Sequence, residues 1–155
     1  MNVGDQVSDF ELKDETGTPR TLSSLLRSGP VVLFFYPIAS SGGCTQEACH
    51  FRDLRADFAA VGAQPVGISG DGVSKQHAFA TAHSLGYPLL ADEAKSVAKE
   101  FGAWRWWLPG GLHTRRCTFV IGQDRRIIHA IADEKLFDRH ADEALEALRK
   151  HQSAA

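Results

Sequence analysis

Val31-Val-Leu-Phe-Phe-Tyr36-Pro37-Ile-Ala-Ser-Ser-Gly-Gly-Cys44-Thr-Gln-Glu-Ala-Cys49 decides how the chain is read. Val31–Tyr36 is apolar on both faces, as a central strand covered on both sides must be. Pro37 has no N–H for a sheet and ends the strand. After Cys44, residues Ala48, Phe51, Leu54, Arg55 and Phe58 fall at helical spacing. A strand therefore feeds a Gly-rich loop, and the loop delivers Cys44 to a helix N-terminus. That helix is expected to run to about Val61 and to stop at Gly62.

The chemistry follows from that placement. A free thiol titrates near pH 8.5, and only the thiolate is a good nucleophile. A helix N-terminus offers unpaired N–H groups and the positive end of the macrodipole, and both favour the anion. Gly42 and Gly43 take side chains away from the sulfur, so a small substrate can approach. Ser41 adds a hydroxyl, and the Pro37 ring can wall one side of the pocket. Cys49 lies five residues on. Ideal helix geometry sets these Cα atoms roughly 8–9 Å apart and about 140° around the axis. A disulfide needs less than about 7 Å. A Cys44–Cys49 bond is thus incompatible with the intact helix and would need its first one or two turns to unwind.

Outward from this stretch the elements alternate. A hairpin is expected from Phe10–Leu12 and Pro19–Leu22 around Asp14-Glu-Thr-Gly17. Ser23 is expected to cap a short helix to about Arg27. Gln64–Ser69 reads as a second strand and Gly70-Asp-Gly72 as a turn. Ser74 is expected to cap a helix to His83, Tyr87–Ala91 to form a strand, and Glu93–Phe101 a helix. Gly102–His113, with Trp104, Trp106 and Trp107, reads as an irregular loop whose aromatics cover core or stack on a ligand. Arg116–Gly122 and Arg126–Ile131 form a last hairpin. His140–Gln152 is amphipathic, with Ala141, Leu145 and Leu148 on one stripe. The β-α-β-α-β-α-β-β-α order argues one α/β domain over residues 1–155, with a mixed sheet.

Strand alternation separates Cys117, Phe119 and Ile121 from Arg116, Thr118 and Val120. Cys117 is read as core. Arg116, a cation within a strand, needs an anionic partner, which a thiolate or Glu47 would supply; a solvated edge-strand arginine is the other reading.

Several function classes fall away. A net charge of −2, with 43% hydrophobic and 23% charged residues, gives no argument for nucleic acid or an anionic membrane. No apolar run reaches the roughly 20 residues of a membrane span. The N-terminus lacks the pattern of a secretory signal, so a cytoplasmic protein is expected. Three cysteines are too few and too odd in number for a disulfide scaffold. Cys44 and Cys49 lack zinc-site spacing, His77 and His83 belong to a solvated helix, and His50 points elsewhere. With no Walker loop and no G-x-G-x-x-G, neither metal nor cofactor is called for.

Pro37-x3-Ser41-x2-Cys44 resembles the Pro-x3-Thr/Ser-x2-Cys signature of peroxiredoxins. Cys44-Thr-Gln-Glu-Ala-Cys49 followed by Phe51-Arg-Asp53 is similar to the bacterioferritin-comigratory-protein, or peroxiredoxin Q, branch. Arg116-Cys-Thr-Phe-Val-Ile121 resembles that family's Arg-x-Thr-Phe strand. The resemblance implies a thioredoxin-like fold and a monomer. It implies that Cys44 attacks a peroxide, that Cys49 resolves the sulfenic acid as a disulfide, and that thioredoxin or a similar dithiol protein recycles it. Pro37, Ser41 and Arg116 would line the pocket. Ser41-Gly-Gly43 stands where the family usually has Thr-Pro-Gly, and Ile38-Ala39 where it has Lys-Asp. The more apolar wall suggests use of organic hydroperoxides alongside hydrogen peroxide. The competing readings are a thiol–disulfide exchange protein, which would lack its usual Cys-x-x-Cys, and a thioredoxin-fold redox sensor.

Overall fold

A computed structural model describes residues 1–105, 107 and 114–154. Its elements are β1 (Glu11–Lys13), β2 (Pro19–Thr21), α1 (Leu22–Leu25), β3 (Val31–Phe35), α2 (Gly42–Asp53), α3 (Arg55–Ala60) and β4 (Gln64–Ser69). They continue with α4 (Val73–His83), β5 (Leu89–Ala91), α5 (Ser96–Glu100), β6 (Cys117–Ile121), β7 (Ile127–Ala132) and α6 (Arg139–Ala154). The strands form one mixed sheet in the order β2-β1-β5-β4-β3-β6-β7. β3, β4 and β5 run parallel, and β6 and β7 add antiparallel beside β3. Parallel neighbours need crossovers, which the intervening helices provide.

β3 sits at the centre and is buried throughout. Its alternation divides the interior into two layers. Val32, Phe34 and Tyr36 face a core shared with α2, α4 and α6, including Phe51, Phe79, Ala141, Leu145 and Leu148. Val31, Leu33 and Phe35 face the other, with Leu22, Val97, Phe101 and Phe119. The Phe34 ring stacks on Phe51, centroids 4.2 Å apart and planes 9° apart, and so locks α2 onto β3. Truncating a ring buried this way to alanine ordinarily costs about 3–5 kcal/mol.

Several boundaries differ from the sequence expectation, each for a local reason. The long helix after Cys44 is two helices. It breaks at Leu54 (φ −92°, ψ 6°), where Arg52 and Arg55 each reach 2.8 Å to a carbonyl, of His83 and Leu85 respectively. Thr21, not Ser23, caps α1, through a capping box with Ser24; Ser23 bonds Asp9 instead. α4 starts one residue before Ser74, on Gly72, with no side-chain cap. α5 is shortened because the Asp92 carboxylate accepts the N–H groups of Val97 and Ala98, bending residues 93–95 into a turn. β5 starts at Leu89 rather than Tyr87, and β6 at Cys117, leaving Arg116 just ahead of the strand. Much of the Gly102–His113 stretch, Trp106 included, lies outside the described residues. Trp104 bridges to Thr114 and packs on the second core, and Trp107 is exposed.

Candidate active site

The site is built where β3 hands the chain to α2. Ser41 is the N-cap residue, and the Thr45 N–H to Ser41 C=O bond is the first helical one. Cys44 is therefore the third helical residue, inside the first turn, where N–H groups lack intrahelical partners. Its side chain is buried, with 1% of the residue exposed. The loop before it contains Ser40 at φ 66°, a left-handed conformation that a serine holds only when its surroundings demand it. They do. Asp71, from the turn after β4, accepts the Ala39 N–H at 2.7 Å. Asp71 is held in turn by the Ser69 hydroxyl (2.7 Å), and Ser69 Oγ accepts from Gln76 Nε2 (3.0 Å). Gln76 Oε1 accepts from the Tyr36 hydroxyl at the end of β3. A buried polar chain thus ties the loop to both β4 and α4. Burial drives the Tyr36 phenol well up, so it stays a donor.

Arg116 enters from the other side. Its Nη2 lies 3.2 Å from Cys44 Sγ and its Nη1 donates to Glu47 Oε1 at 2.8 Å. The two partners expected as alternatives are held by one guanidinium. Strand alternation explains the geometry: Arg116, Thr118 and Val120 face α2 and α6, while Cys117, Phe119 and Ile121 join the opposite core. Burial pushes the Cys117 thiol up to about 12, as suits an inert core cysteine. Cys49 lies on the same unbroken α2 as Cys44, half-buried, with both thiols free.

Glu47 is fully buried. Burial pushes its carboxyl up to about 8, against the pull of the Arg116 charge and hydrogen bond. A raised carboxyl binds its proton in the folded chain at pH values where the unfolded chain has lost it. Its contribution to stability is full below about 4.5 and is lost as the pH rises to about 8. Glu47→Gln should abolish that slope. The difference in melting temperature between the two proteins, followed from acid to mildly alkaline pH, measures it; parallel curves would contradict the assignment.

Two expected roles are altered by the geometry. The Ser41 hydroxyl donates to the Ile38 carbonyl at 3.0 Å and closes the loop, so with that bond in place it can only accept from a substrate. The space over Gly43 is not open. A Cβ there would stand 2.6 Å from Phe137 Cζ, so the glycine makes room for an aromatic ring. That ring also lies 4.6 Å from the Arg116 guanidinium carbon and caps the cation. A surface cleft of about 530 Å³ opens beside it, lined in part by Gln46, Leu136, Phe137 and Arg139; Cys44 is not among its walls. Pro37 is half-buried at the end of β3.

Sequence reasoning missed Phe137, His140 and the Asp71–Gln76 chain, and it set Thr118 on the Arg116 face of its strand without giving it a role. One signal was available. His140 falls on the stripe of Ala141, Ala144, Leu145 and Leu148, so a buried histidine was implied there.

Comparison with known proteins agrees with the motif. The sequence pattern of the AhpC/TSA family matches residues 3–130. The crystal structure of peroxidoxin BcpB from Mycobacterium tuberculosis superposes with TM-score 0.93 at 54% identity, over 97% of both chains. Chloroplastic peroxiredoxin Q of Arabidopsis thaliana is 37% identical over 152 residues, covering 96% of this chain and 68% of that one. A Xanthomonas campestris bacterioferritin comigratory protein, whose structure was solved for its alkyl peroxide reduction activity, superposes at TM-score 0.82 and 27% identity, covering 92% of this chain and 91% of that one. With its thioredoxin-like mixed sheet and a buried thiol at the start of α2, the chain belongs to the AhpC/TSA family, on the peroxiredoxin Q branch of the peroxiredoxins.

Proposed function

We propose that this peroxiredoxin reduces hydrogen peroxide and organic hydroperoxides through Cys44 and regenerates itself through Cys49. The observation that carries the reading is the Arg116 guanidinium 3.2 Å from a sulfur in the first turn of a helix. The Cys44 thiolate attacks the terminal oxygen of the peroxide. The S–O bond forms as the O–O bond breaks, and the departing alkoxide or hydroxide takes up a proton. Arg116 steadies charge as it moves from sulfur to the leaving oxygen. Pro37 and Ser41 bound the pocket. The Phe137 ring, over Gly43 and against Arg116, favours an apolar surface for an alkyl group.

Cys44 is left as a sulfenic acid. The Cys49 thiol attacks that sulfur, water leaves, and a disulfide forms that keeps Cys44 off the irreversible oxidation steps. Thioredoxin or a similar dithiol protein reduces it. The continuous α2 must open between Cys44 and Cys49 for this, because helical i and i+5 positions are too far apart to bridge. No helix among the described residues is long and apolar enough to cross a membrane.

Mass spectrometry after one equivalent of peroxide tests the scheme. The expected product is lighter by two hydrogens, and Cys44→Ser and Cys49→Ser each prevent that loss. Cys49→Ser should still consume the first equivalent, and then stall with thioredoxin as reductant. A Cys117→Ser protein that stalls in place of Cys49→Ser would overturn the assignment of Cys49.

A further inference from the structure

Glu47 is held unequally. Oε1 accepts from Arg116 at 2.8 Å, while Oε2 is buried without a hydrogen-bond partner among the described residues. A bare carboxylate oxygen away from water is costly, so the groups around Oε2 decide whether Glu47 holds a proton. His140 Nδ1 lies 3.7 Å from Oε2, too far for a hydrogen bond. His140 Nε2 lies 2.6 Å from the Asp133 carbonyl oxygen. A carbonyl only accepts, so Nε2 carries the ring proton and Nδ1 is bare. Thr118 Oγ1 is 2.8 Å from that bare nitrogen, so its hydroxyl donates there. The hydrogens of His140 and Thr118 are thus both engaged elsewhere than at Oε2.

We propose that His140 is a positioning residue for the thiol: by withholding a donor from Glu47 Oε2 it keeps a proton on Glu47, and so leaves the charge of Arg116 to the Cys44 sulfur. The inference rests on Cys44 being the reactive thiol. One guanidinium touches two acids. With a single proton between them, either the carboxyl is neutral and the sulfur anionic, or the reverse. The total charge is the same, and His140 tips the choice toward the nucleophile. The other groups that face the pair do not supply the missing donor. Tyr87, ahead of β5, gives its hydroxyl to the Ala48 carbonyl; Asp133 and Glu143 are acids; Cys117 lies on the opposite face of β6. Burial holds the His140 imidazole below its ordinary 6.5, so it remains neutral and its Nδ1 bare.

His140→Asn offers an amide N–H to Oε2. In a protein whose Cys49 and Cys117 are serine, iodoacetamide alkylation of Cys44 at about pH 6 should slow about tenfold, one unit of proton affinity. The same substitution in a Glu47→Gln background should change the rate little, because no carboxylate is left to release. Equal slowing in both backgrounds, or none in either, overturns the proposal. Should His140→Asn fold poorly, carbon-13 NMR of labelled glutamate in the unaltered protein decides. Glu47 should titrate above neutrality, and a Glu47 already ionised at about pH 5 overturns the proposal. That titration does not depend on turnover, so a failure of Cys44 as nucleophile would show separately, as peroxide consumption by Cys44→Ser.

Discussion

Cys44→Ser should reduce peroxide turnover to below about one-thousandth of the unaltered rate while the protein stays folded. A hydroxyl so placed is not ionised near neutral pH, and serine oxygen is a poor nucleophile without a base to take its proton. Arg116 cannot serve as that base, since a guanidinium stays protonated. The structural cost is small. Serine is close to cysteine in size, and Arg116 Nη2, 3.2 Å from the sulfur, can donate to its oxygen. A stability change of about 1 kcal/mol is expected. Peroxide consumption with a dithiol reductant, beside a urea melt, separates the two effects. Residual turnover above about a tenth would move the chemistry to Cys49 or Cys117.

Arg116→Gln should lower turnover by about 10²–10³-fold, the usual range for removing one donor that meets developing negative charge. Arg116→Lys should rescue only part of the loss. An ammonium restores charge but lacks the planar fork that reaches Cys44 and Glu47 together. The stability effect is the sharper question. Removing one partner of a buried ion pair often costs about 3–5 kcal/mol, because the other charge is stranded. Glu47 has an escape. Burial has already raised its carboxyl to about 8, so near neutral pH it takes a proton and stays neutral. The cost should then fall to about 1–3 kcal/mol, that of a less well satisfied polar group. It should grow above about pH 8, where Glu47 of the unaltered protein ionises beside Arg116 while that of the variant, without the cation, still holds its proton. A rate within a few-fold of the unaltered protein, or a stability loss that shrinks with rising pH, would refute this account of the pair.

The residues that made the fold legible share one property: their signal is local and periodic. Val31–Phe35 reads as a central strand because every position is apolar, and it is one. Cys117 and Arg116 separate onto opposite faces by alternation alone, and Arg116 needs an anion within reach unless it is solvated at an edge strand, an alternative that the burial of Arg116 closes. Glu47 was nameable as that anion because it lies one helical turn past Cys44. What the sequence hid is polar and long-range. His140 sits 93 residues from Glu47, inside a helix whose apolar stripe accounts for its position without mention of hydrogen bonds. Asp71 reads as the middle of a Gly-Asp-Gly turn. That its carboxylate reaches an amide 32 residues back follows only from the parallel pairing of β3 with β4. The Gly42–Gly43 pair misled in a different way. Missing side chains read as access for substrate, whereas the Phe137 ring fills the room over Gly43. Composition shows that a side chain is absent and leaves open what occupies its place.

The unequal exposure of the two cysteines on α2 sorts reactants by bulk. Cys44, at 1% exposure, lies out of reach of any sulfur carried on another folded protein. In the proposed scheme it would exchange electrons only with small molecules, or with a neighbour in its own chain once α2 loosens. Cys49, half-buried, would be the contact a large partner makes in the proposed scheme. Under the proposed scheme the fold would work as an insulated junction, with small oxidants admitted at one terminal and proteins at the other. In that scheme the helix between the terminals would keep the circuit open until an oxidised sulfur and an unwound turn close it.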